Sequence, residues 1–446
     1  MVEKKDWPKV TVQLPVYNEK YVAERLINCM ALLDYPKDKL EFQLLDDSTD
    51  ITSSIIQQAI TKYPEVNFQH IQRTNRTAFK AGALKEGLAV ASGEFIAIFD
   101  ADFLPSPDFL KATIPSFDDE KIGMVQTRWT HINKNFSILT RLQAFALDAH
   151  FFVEQVGRNA QNAFMNFNGT AGVWRKKAIL QAGNWNDDTL TEDLDLSYRA
   201  QKVGWKFLYL PFVEAPAELP PVMSALKSQQ YRWTKGGAEC ARKHLKGILL
   251  SNLPLKTKIH AFAHLLNSTV FILVLMISIS SIAIWLGSFS GLLPEGILQW
   301  AGIFLFSFVI ISIVYLVANA FGKKGRLRNI GTALVHLPLF LSVSMGLSLH
   351  NSIAVWEGLS GKKTPFIRTP KFDLKEGKKR LKGNLYLNSK IPAVTYVEGA
   401  MALLFITIVI ISFFYEVSIM LSLHIALAIG YSLVAYTSFK SYSFSK

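Results

Sequence analysis

Two pairs of aspartates have a spacing that suits a metal or phosphate site. Asp46 and Asp47 end the stretch EFQLLDD, and Asp100 and Asp102 end EFIAIFDAD. Residues two apart in an extended strand point to the same side, so the carboxylates of Asp100 and Asp102 should point the same way. Paired carboxylates suit Mg²⁺ or Mn²⁺, which commonly bridge protein carboxylates and substrate phosphates and would act as a Lewis acid toward a departing diphosphate. An exposed turn could carry such a pair, but the apolar strand before it favours a binding site.

A second acidic motif, TLTEDLDLSYRA, indicates a general base. Thr191 has the residue type of a helix N-cap, which places Glu192 and Asp193 in the first turn, where the helix dipole favours charged carboxylates. An acceptor hydroxyl loses a proton as it attacks, so it needs an ionised carboxylate within hydrogen-bond reach. Ordinary acidic charge at a helix start is the simpler explanation when this motif is taken alone.

Lys80 lies at the start of a predicted helix, just after the turn Asn75-Arg76-Thr77. A lysine in this place can contact phosphate as a point charge, helped by the helix N-terminus. A solvated surface lysine is the alternative, and the residue by itself favours that alternative.

The elements that would position these side chains alternate along the chain. Short apolar runs predict strands at 9–17, 41–47, 66–72 and 94–102, and the stretches between them predict helices at 19–33, 51–63 and 77–91. This alternation is typical of a mainly parallel sheet with helices on its faces. Ligands bind at the carboxyl ends of such strands. The Tyr17-Asn18-Glu19 motif and the two aspartate pairs should therefore converge at one edge of the sheet.

A longer helix is predicted at 137–157, where apolar residues recur at intervals of three or four. The stripe consists of Ile138, Leu142, Phe145, Ala149, Phe152 and Val156. We expect this stripe to pack on the sheet.

Composition separates the chain into two unlike halves. Its 446 residues are 50% hydrophobic and carry a formal net charge of +13. Up to about residue 257 the pattern is that of an α/β protein, and beyond it lie apolar runs long enough to cross a bilayer. Much of the positive charge lies beside those runs, so a membrane surface explains it better than nucleic acid. The two cysteines have no metal-ligand spacing, and the first residues have no signal-peptide core.

The apolar half predicts four membrane spans, near 262–286, 299–320, 393–414 and 417–436. Basic loops favour the cytoplasmic side. Such residues follow the second span (Lys323, Lys324, Arg326, Arg328) and fill the stretch from Lys362 to Lys390, whereas the GLLPEG loop after the first span has no Lys or Arg. The N-terminal half should therefore be cytoplasmic.

The apolar segment 330–356 lies between two loops that both favour the cytoplasm. A single crossing would place one basic loop on the wrong side, so we expect this segment to lie along the interface or to re-enter. His336, Pro338, His350 and Asn351 also make it a poor simple span, because polar groups are costly in lipid. An ordinary crossing, with the charge rule broken once, is the alternative.

Seven motifs occur in an order that resembles a known family. They are VQLPVYNE, LLDDSTD, FKAGALKEG, AIFDADFLPSPDFL, FNGTAGVWR, LTEDLDLSYRA and QQYRW. Together they resemble the processive, membrane-bound family 2 glycosyltransferases, most closely the cellulose synthase-like mannan and glucan synthases. The resemblance covers about residues 9–245. It implies a GT-A fold, which is α/β, Rossmann-like and mainly parallel, in a cytoplasmic catalytic domain that is followed by an α-helical transmembrane domain.

The resemblance also implies a role for individual residues. Asp193 matches the general base, within the Thr191-Glu192-Asp193 motif, and Asp100 and Asp102 match the metal ligands for Mg²⁺ or Mn²⁺. Nucleotide-sugar contacts are implied for Tyr17, Glu19, Asp46, Asp47, Lys80, Asp100 and Arg232. Acceptor contacts are implied for Gln229 and Trp233 of the Q-x-x-R-W motif and for Gly169 and Thr170. Phe366, Thr369 and Lys371 have the F-x-x-T-x-K spacing of a gating loop, in which Arg368 stands where the family has Val.

The expected domains are a glycosyltransferase domain at 1–245, interfacial at about 220–257, and a membrane domain at 258–446 with a basic cytoplasmic loop at 357–391.

The expected function is inverting, metal-dependent transfer from UDP-glucose or GDP-mannose to a growing β-1,4-linked glucan or mannan, which is extruded across a plasma, inner or Golgi membrane. Membrane lipid is an expected partner and nucleic acid is not. Transfer of one sugar to a lipid, as in ceramide glucosyltransferases, and a non-catalytic channel subunit are the alternatives. Relatives usually carry a membrane helix before the catalytic domain, so either a truncated start or a channel of fewer helices is expected.

Overall fold

Seven strands in the N-terminal half form one sheet in the part of the chain that the structure describes. The structure, a computed structural model, describes residues 6–292, 302–320, 326–374, 386, 390–417 and 419–444. The strands are β1 (Val10–Val16), β2 (Leu40–Asp46), β3 (Phe68–Gln72), β4 (Phe95–Ile98), β5 (Ile122–His131), β6 (Gly172–Arg175) and β7 (Lys206–Ala217). Their order is β3-β2-β1-β4-β6-β5-β7, and only β6 runs antiparallel to its neighbours.

The four strands expected from the sequence are all present, within a few residues of the expected ends. β1, β2 and β4 are almost entirely buried, because helices cover both faces of the sheet. β4 is a continuous apolar run, as is typical of a strand covered on both faces. β1 and β2 also contain buried polar residues, which pair between the strands as Thr11 with Glu41 and Gln13 with Gln43. The mainly parallel sheet of the GT-A type is therefore confirmed.

Helices surround the sheet and continue beyond it. Those of the N-terminal half are α1 (Ala23–Met30), α2 (Thr52–Ile60), α3 (Phe79–Val90), α4 (Phe109–Thr113), α5 (Ile138–Ala149), α6 (Val156–Ala160), α7 (Lys176–Gln181) and α8 (Glu192–Lys202). A single π-helical turn, His150–Gln155, joins α5 to α6. The later helices are α9 (Met223–Leu249), α10 (Leu255–Leu265), α11 (Val270–Phe289), α12 (Gly302–Ala320), α13 (Arg326–Gly346), α14 (Ser348–Ser360), α15 (Ala393–Phe414) and α16 (Leu421–Ser443).

The apolar stripe of α5 does not pack mainly on the sheet, so that expectation was wrong. Leu142 lies in a cluster with residues of α9, α13 and α16, and Phe145 packs against Ala333 and Leu337 of α13. Ala149 and Phe152 meet α12 at Ala318. Helical periodicity shows that one face is buried, but it does not show what covers that face. Here α5 packs between the N-terminal sheet and the apolar helices.

Four helices among the described residues are long and apolar enough to cross a membrane. By length and composition they are Asn267–Phe289, Asn329–Gly346, Ala393–Phe414 and Leu421–Tyr442. Three of them correspond to expected spans. The expected span near 299–320 contains α12, an apolar helix of 19 residues. Residues 299–301 of that span lie outside the described residues.

Segment 330–356 forms parts of two helices rather than one. α13 ends at Gly346 and α14 begins at Ser348, while Pro338 lies inside α13. Because Asn329–Gly346 is long enough to cross, the interfacial or re-entrant arrangement stays a prediction. Much of the topology argument falls on stretches outside the described residues, namely 293–301, 321–325, 375–385 and 387–389.

The long helix α9 connects the N-terminal sheet with the apolar helices. Its Lys227 ammonium pairs with the Glu398 carboxylate of α15, and both side chains are buried. The Tyr231 hydroxyl donates to Glu357 of α14. A shift of α9 would therefore disturb its contacts with α14 and α15 as well as its packing in the N-terminal half.

Candidate active site

The polar motifs converge in one cleft at the carboxyl edge of the sheet. The cleft is lined by sixteen of the eighteen residues that the sequence singled out: Tyr17, Glu19, Asp47, Lys80, Asp100, Asp102, Gly169, Thr191, Glu192, Asp193, Gln229, Arg232, Trp233, Phe366, Thr369 and Lys371. These residues come from distant parts of the chain. Tyr17 and Glu19 follow β1, Asp47 follows β2, and Asp100 and Asp102 follow β4. They meet in the cleft because parallel strands end at the same edge of the sheet.

Each carboxylate of the Asp100–Asp102 pair has an ammonium partner. Lys80 Nζ lies 2.6 Å from Asp100 Oδ1, and Lys371 Nζ lies 2.8 Å from Asp102 Oδ2. Asp102 is 1% exposed, and its Oδ1 is a buried atom for which the described residues provide no hydrogen-bond partner.

That unsatisfied carboxylate oxygen fits a divalent cation. The described residues contain no cluster of three or more His, Cys, Asp or Glu side chains that could hold a metal by themselves. Two carboxylates that share the ion with substrate phosphates are, however, the usual arrangement for Mg²⁺. Asp100 and Asp102 are therefore the residues that could hold the ion.

Asp193 lies in the first turn of α8, as expected, and its carboxylate faces the cleft. The Leu194 amide donates to Asp193 Oδ1 at 2.8 Å. Gly169, with φ +80°, lies against the other oxygen, because a Cβ atom there would be 2.8 Å from Asp193 Oδ2. Thr191 occupies the N-cap position, but its side chain does not cap the helix; its Oγ1 lies 3.5 Å from Cys240 Sγ.

The surroundings of Asp193 favour a base that titrates near neutral pH. Burial and the neighbouring Glu192 carboxylate raise the pKa of Asp193 to about 7, although the Lys80 ammonium opposes this rise. Burial likewise raises the pKa of Glu192. Burial would lower the pKa of Lys80, but the Asp100 and Glu192 carboxylates outweigh it and raise that pKa, so Lys80 stays charged. A base works best when its pKa lies near the operating pH.

Helix α9 contacts the turn that precedes Asp193. Gly236 lies directly against Thr191, since a Cβ atom on Gly236 would be 2.5 Å from Thr191 Cγ2. The Leu190 amide donates to Glu239 Oε2 at 2.7 Å. These two contacts fix the Leu190–Thr191 turn on the same helix that carries the Q-x-x-R-W motif.

Gln229, Arg232 and Trp233 of that motif all line the cleft from α9. Arg232 donates from Nη1 to the Ile367 carbonyl at 2.5 Å and from Nη2 to Thr369 Oγ1 at 2.9 Å. Burial lowers the pKa of Arg232 to about 10, which leaves its guanidinium charged at neutral pH. The arginine of the motif is thus bound to the loop that follows α14.

That loop, residues 362–374, closes one side of the cleft with two cations. Besides Lys371, it contributes Arg368, whose Nη1 lies 2.7 Å from Glu19 Oε2 and whose Nη2 donates to the Asn18 carbonyl at 2.6 Å. Burial raises the pKa of Glu19 to about 7 against the opposing charges of Arg368 and Lys371.

Glu218 anchors the end of the same loop. Its carboxylate accepts the Phe372 amide at 2.9 Å and the Leu374 amide at 3.3 Å. The Glu218 amide donates to Asp102 Oδ2 at 3.2 Å. Phe372, the residue after Lys371, is therefore hydrogen-bonded to Glu218, whose own amide donates to Asp102.

Asp46 and Thr170 lie outside the cleft lining, so their implied contacts with donor and acceptor are not supported. Asp46 is buried under the strand ends, where Ser53 Oγ donates to its Oδ2 at 2.5 Å and His70 Nε2 lies 2.9 Å away. Thr170 Oγ1 accepts the Asp100 amide at 2.9 Å. Adjacent residues at a strand end point in opposite directions, so only one member of the Asp46–Asp47 pair can face the ligand.

Several residues in or beside the cleft escaped the sequence reasoning; Arg73 does not line the cleft but pairs with Asp47, which does. Arg73 forms a two-point ion pair with Asp47, and Arg76 stacks over the Tyr17 ring at 3.4 Å from its centroid. His131 and Glu218 line the cleft where β5 and β7 end. Applying the strand-end rule to these later strands would have found the last two.

Comparison with known proteins agrees with this geometry. Residues 8–236 match the family described as glycosyltransferase like family 2. The chain is 45% identical over 244 residues to "Probable glucomannan 4-beta-mannosyltransferase 4" of Oryza sativa subsp. japonica, covering 53% of this chain and 44% of that protein. It is 43% identical over 264 residues to "Glucomannan 4-beta-mannosyltransferase 1" of Cyamopsis tetragonoloba, covering 57% of this chain and 50% of that protein. The matched part thus spans about half the length of these relatives.

Among solved structures, the fold is similar to that of the mannosyltransferase PcManGT from Pyrobaculum calidifontis in complex with GDP-Man and Mn²⁺. The TM-score is 0.51 at 21% sequence identity, covering 80% of this chain and 89% of that chain. With half of its length matched to one family and the motifs of that family gathered in one cleft, the chain belongs to the family 2-like glycosyltransferases.

Proposed function

We propose that the protein is a metal-dependent, inverting hexosyltransferase that elongates a β-1,4-linked mannan. The observation that carries this proposal is the convergence of three groups in one cleft: the base Asp193, the Asp100–Asp102 pair and the Q-x-x-R-W residues of α9. The names of the mannosyltransferase relatives favour a mannosyl donor. GDP-mannose is therefore the first donor to test, and UDP-glucose the second.

The nucleotide sugar would lie along the strand ends. Tyr17, Glu19 and Asp47 line the cleft where β1 and β2 end, and there Arg73 pairs with Asp47 and Arg76 stacks on Tyr17. Lys80 and Asp100 lie nearer the base, so the diphosphate belongs there. A lysine ammonium suits phosphate as a compact charge.

Transfer would proceed by one displacement at the anomeric carbon. The acceptor hydroxyl gives its proton to Asp193 as its oxygen forms the new glycosidic bond. The bond between the anomeric carbon and the diphosphate oxygen breaks at the same time, and the diphosphate leaves with the electron pair. One displacement inverts the configuration, which turns an α-linked donor into a β-linked product.

Asp100 and Asp102 would hold a divalent cation, as the buried and unsatisfied Asp102 Oδ1 suggests. When bound, the cation supplies Lewis-acid stabilisation of the diphosphate leaving group. The chain itself supplies further positive charge from Lys80 and from Arg232, which the Asp100 and Glu192 carboxylates help to keep protonated.

Trp233 and Gln229 would hold the terminal sugar of the acceptor. The face of an aromatic ring covers the apolar face of a sugar, and a side-chain amide can donate to and accept from its hydroxyls. Because Gly236 seats α9 against Thr191, this platform lies beside the base.

The helices that follow the catalytic domain support an integral membrane protein, and the basic loops of the sequence favour a catalytic domain in the cytoplasm. Four of the described helices are long and apolar enough to cross a bilayer, and α9 ties them to the cleft. A polymer made at this point could leave through the apolar half of the protein.

Donor and metal dependence can be tested with the full chain in lipid vesicles. We expect label to pass from radioactive GDP-mannose or UDP-glucose into product, to stop when EDTA is added, and to resume with Mn²⁺ or Mg²⁺. Asp102→Asn should need a much higher metal concentration. Transfer that continues in EDTA would contradict the metal assignment, and failure with every sugar nucleotide would contradict the function.

A further inference from the structure

The loop after α14 places an ammonium group on a carboxylate of the candidate metal site. Lys371 Nζ lies 2.8 Å from Asp102 Oδ2, and the Asp102 side chain is 1% exposed. A buried carboxylate needs a counter-charge, because an unpaired buried charge is costly. In this arrangement Lys371 provides a positive charge that a bound cation would otherwise provide.

We propose that Lys371 is a tethered counter-ion that occupies Asp102 while no divalent cation is bound and that the cation must displace. The inference rests on the proposed function, since it takes Asp100 and Asp102 as the metal ligands. Lys371 thereby lowers the affinity of the empty cleft for metal and links metal binding to the loop.

Charge and distance oppose simultaneous binding of Lys371 and a divalent cation to Asp102. A cation coordinated by Asp102 would lie beside the ammonium of Lys371 if that group stayed in place. Like charges so close together in a poorly solvated site repel strongly. Asp102 Oδ1 remains available to the cation, since the described residues offer it no hydrogen-bond partner.

Lys80 is a poor candidate for the same role. Its Nζ donates to Asp100 at 2.6 Å and to the Gly169 carbonyl at 2.9 Å, and it lies 3.9 Å from Glu192. All three acceptors belong to the catalytic domain, so Lys80 is held in place from several sides.

Lys371 belongs to the loop rather than to the sheet, and the Glu19 and Asp100 carboxylates act on its ammonium as well as Asp102. We infer that its side chain moves while its backbone stays near the site. The neighbouring Phe372 amide is bound to Glu218 Oε1 at 2.9 Å, and Glu218 itself follows β7. This anchor keeps the lysine within reach of Asp102 without fixing its ammonium there.

The test is a titration of the full chain with Mn²⁺ alone, without nucleotide, followed by electron paramagnetic resonance. We expect Lys371→Met to bind Mn²⁺ about tenfold more tightly than the wild type, because the competing charge is gone. Lys371→Arg, which keeps the charge, should bind close to the wild-type level. The matched control is Lys363→Met on the same loop, whose Nζ donates to the Asp188 carbonyl and which does not line the cleft; its Mn²⁺ affinity should not change.

A second measurement needs no substitution. Acylation of lysine amines in the wild type, read by mass spectrometry, should increase at Lys371 when Mn²⁺ is added, because the ammonium leaves Asp102. Unchanged or weaker Mn²⁺ binding by Lys371→Met, or labelling that does not respond to bound Mn²⁺, would overturn the inference.

Failure of the underlying metal assignment gives a different result. Asp102→Asn should bind Mn²⁺ more weakly than the wild type. If Asp102→Asn binds Mn²⁺ as tightly as the wild type, the metal site of the proposed function is wrong, and the role of Lys371 falls with it. If Asp102→Asn weakens binding but Lys371→Met does not strengthen it, only the role of Lys371 is wrong.

Discussion

Gly236 and Thr191 are in direct contact, so that a Cβ atom on Gly236 would lie 2.5 Å from Thr191 Cγ2 and 2.9 Å from its Cβ. This contact joins the helix that carries Trp233 to the turn that carries Asp193. The proposed acceptor platform and the proposed base thus lie on two elements that pack closely because residue 236 has no side chain.

Gly236→Ala should push α9 away from the Thr191 turn and lower kcat by about 100-fold, since small misplacements of reacting groups can cost that much. The matched control is Gly247→Ala on the same helix, where the nearest atom to an added Cβ is Lys202 Nζ at 3.6 Å. That variant should keep full activity. Steady-state kinetics of both variants measure the difference, and equal kcat values would show that the contact is not needed.

Asp193→Asn keeps the shape of the side chain but removes the base. We expect kcat to fall by about 10²–10⁴, the usual contribution of a general base, while the affinity for nucleotide stays within error. Calorimetric titration with GDP and UDP, beside a transfer assay, separates the two effects. Substantial turnover by the variant would refute the assignment of Asp193.

The pKa of Asp193 determines the direction of the pH dependence. Burial and Glu192 raise this pKa to about 7, so the carboxyl group is protonated and inactive as a base below that pH. We expect kcat/KM to fall about tenfold per pH unit below about pH 7 and to level off above it. A flat profile from about pH 6 to pH 8 would mean that another group is the base.

Asp46 should matter for stability rather than for donor binding. Burial alone would raise the pKa of Asp46, but hydrogen bonds from His70, Ser48 and Ser53 hold it well below its ordinary value. Asp46→Asn disturbs this buried network and should lower the free energy of unfolding by about 1–3 kcal/mol, with an unchanged KM for the donor. Thermal unfolding and donor titration measure the two quantities. A raised donor KM without loss of stability would instead indicate that Asp46 contributes to donor binding.

Much of the cleft could be predicted from the sequence, because parallel strands end at one edge and carry their polar residues there. The apolar runs before Asp47 and Asp100 marked those ends. The platform on α9 was found only through the resemblance to a family, since Trp233 by itself suggests an interface anchor.

Other parts could not be predicted, because they depend on contacts between distant segments. No local pattern shows that Arg368 meets Glu19, which precedes it by 349 positions in the sequence numbering, or that α5 packs on helices of the apolar half. The choice between Asp46 and Asp47 depends on which side of the strand end each faces. In the structure Asp46 is buried under the strand end while Asp47 lines the cleft, a difference that the sequence alone does not show.

The most direct test of the account uses the full chain in vesicles with radioactive GDP-mannose and Mn²⁺, followed by sizing of the product and digestion with linkage-specific glycanases. We expect a long labelled polymer that a β-1,4-mannanase degrades. A single labelled mannose on extracted lipid would contradict the account, and it would make the Trp233 platform the binding site for a lipid-linked acceptor.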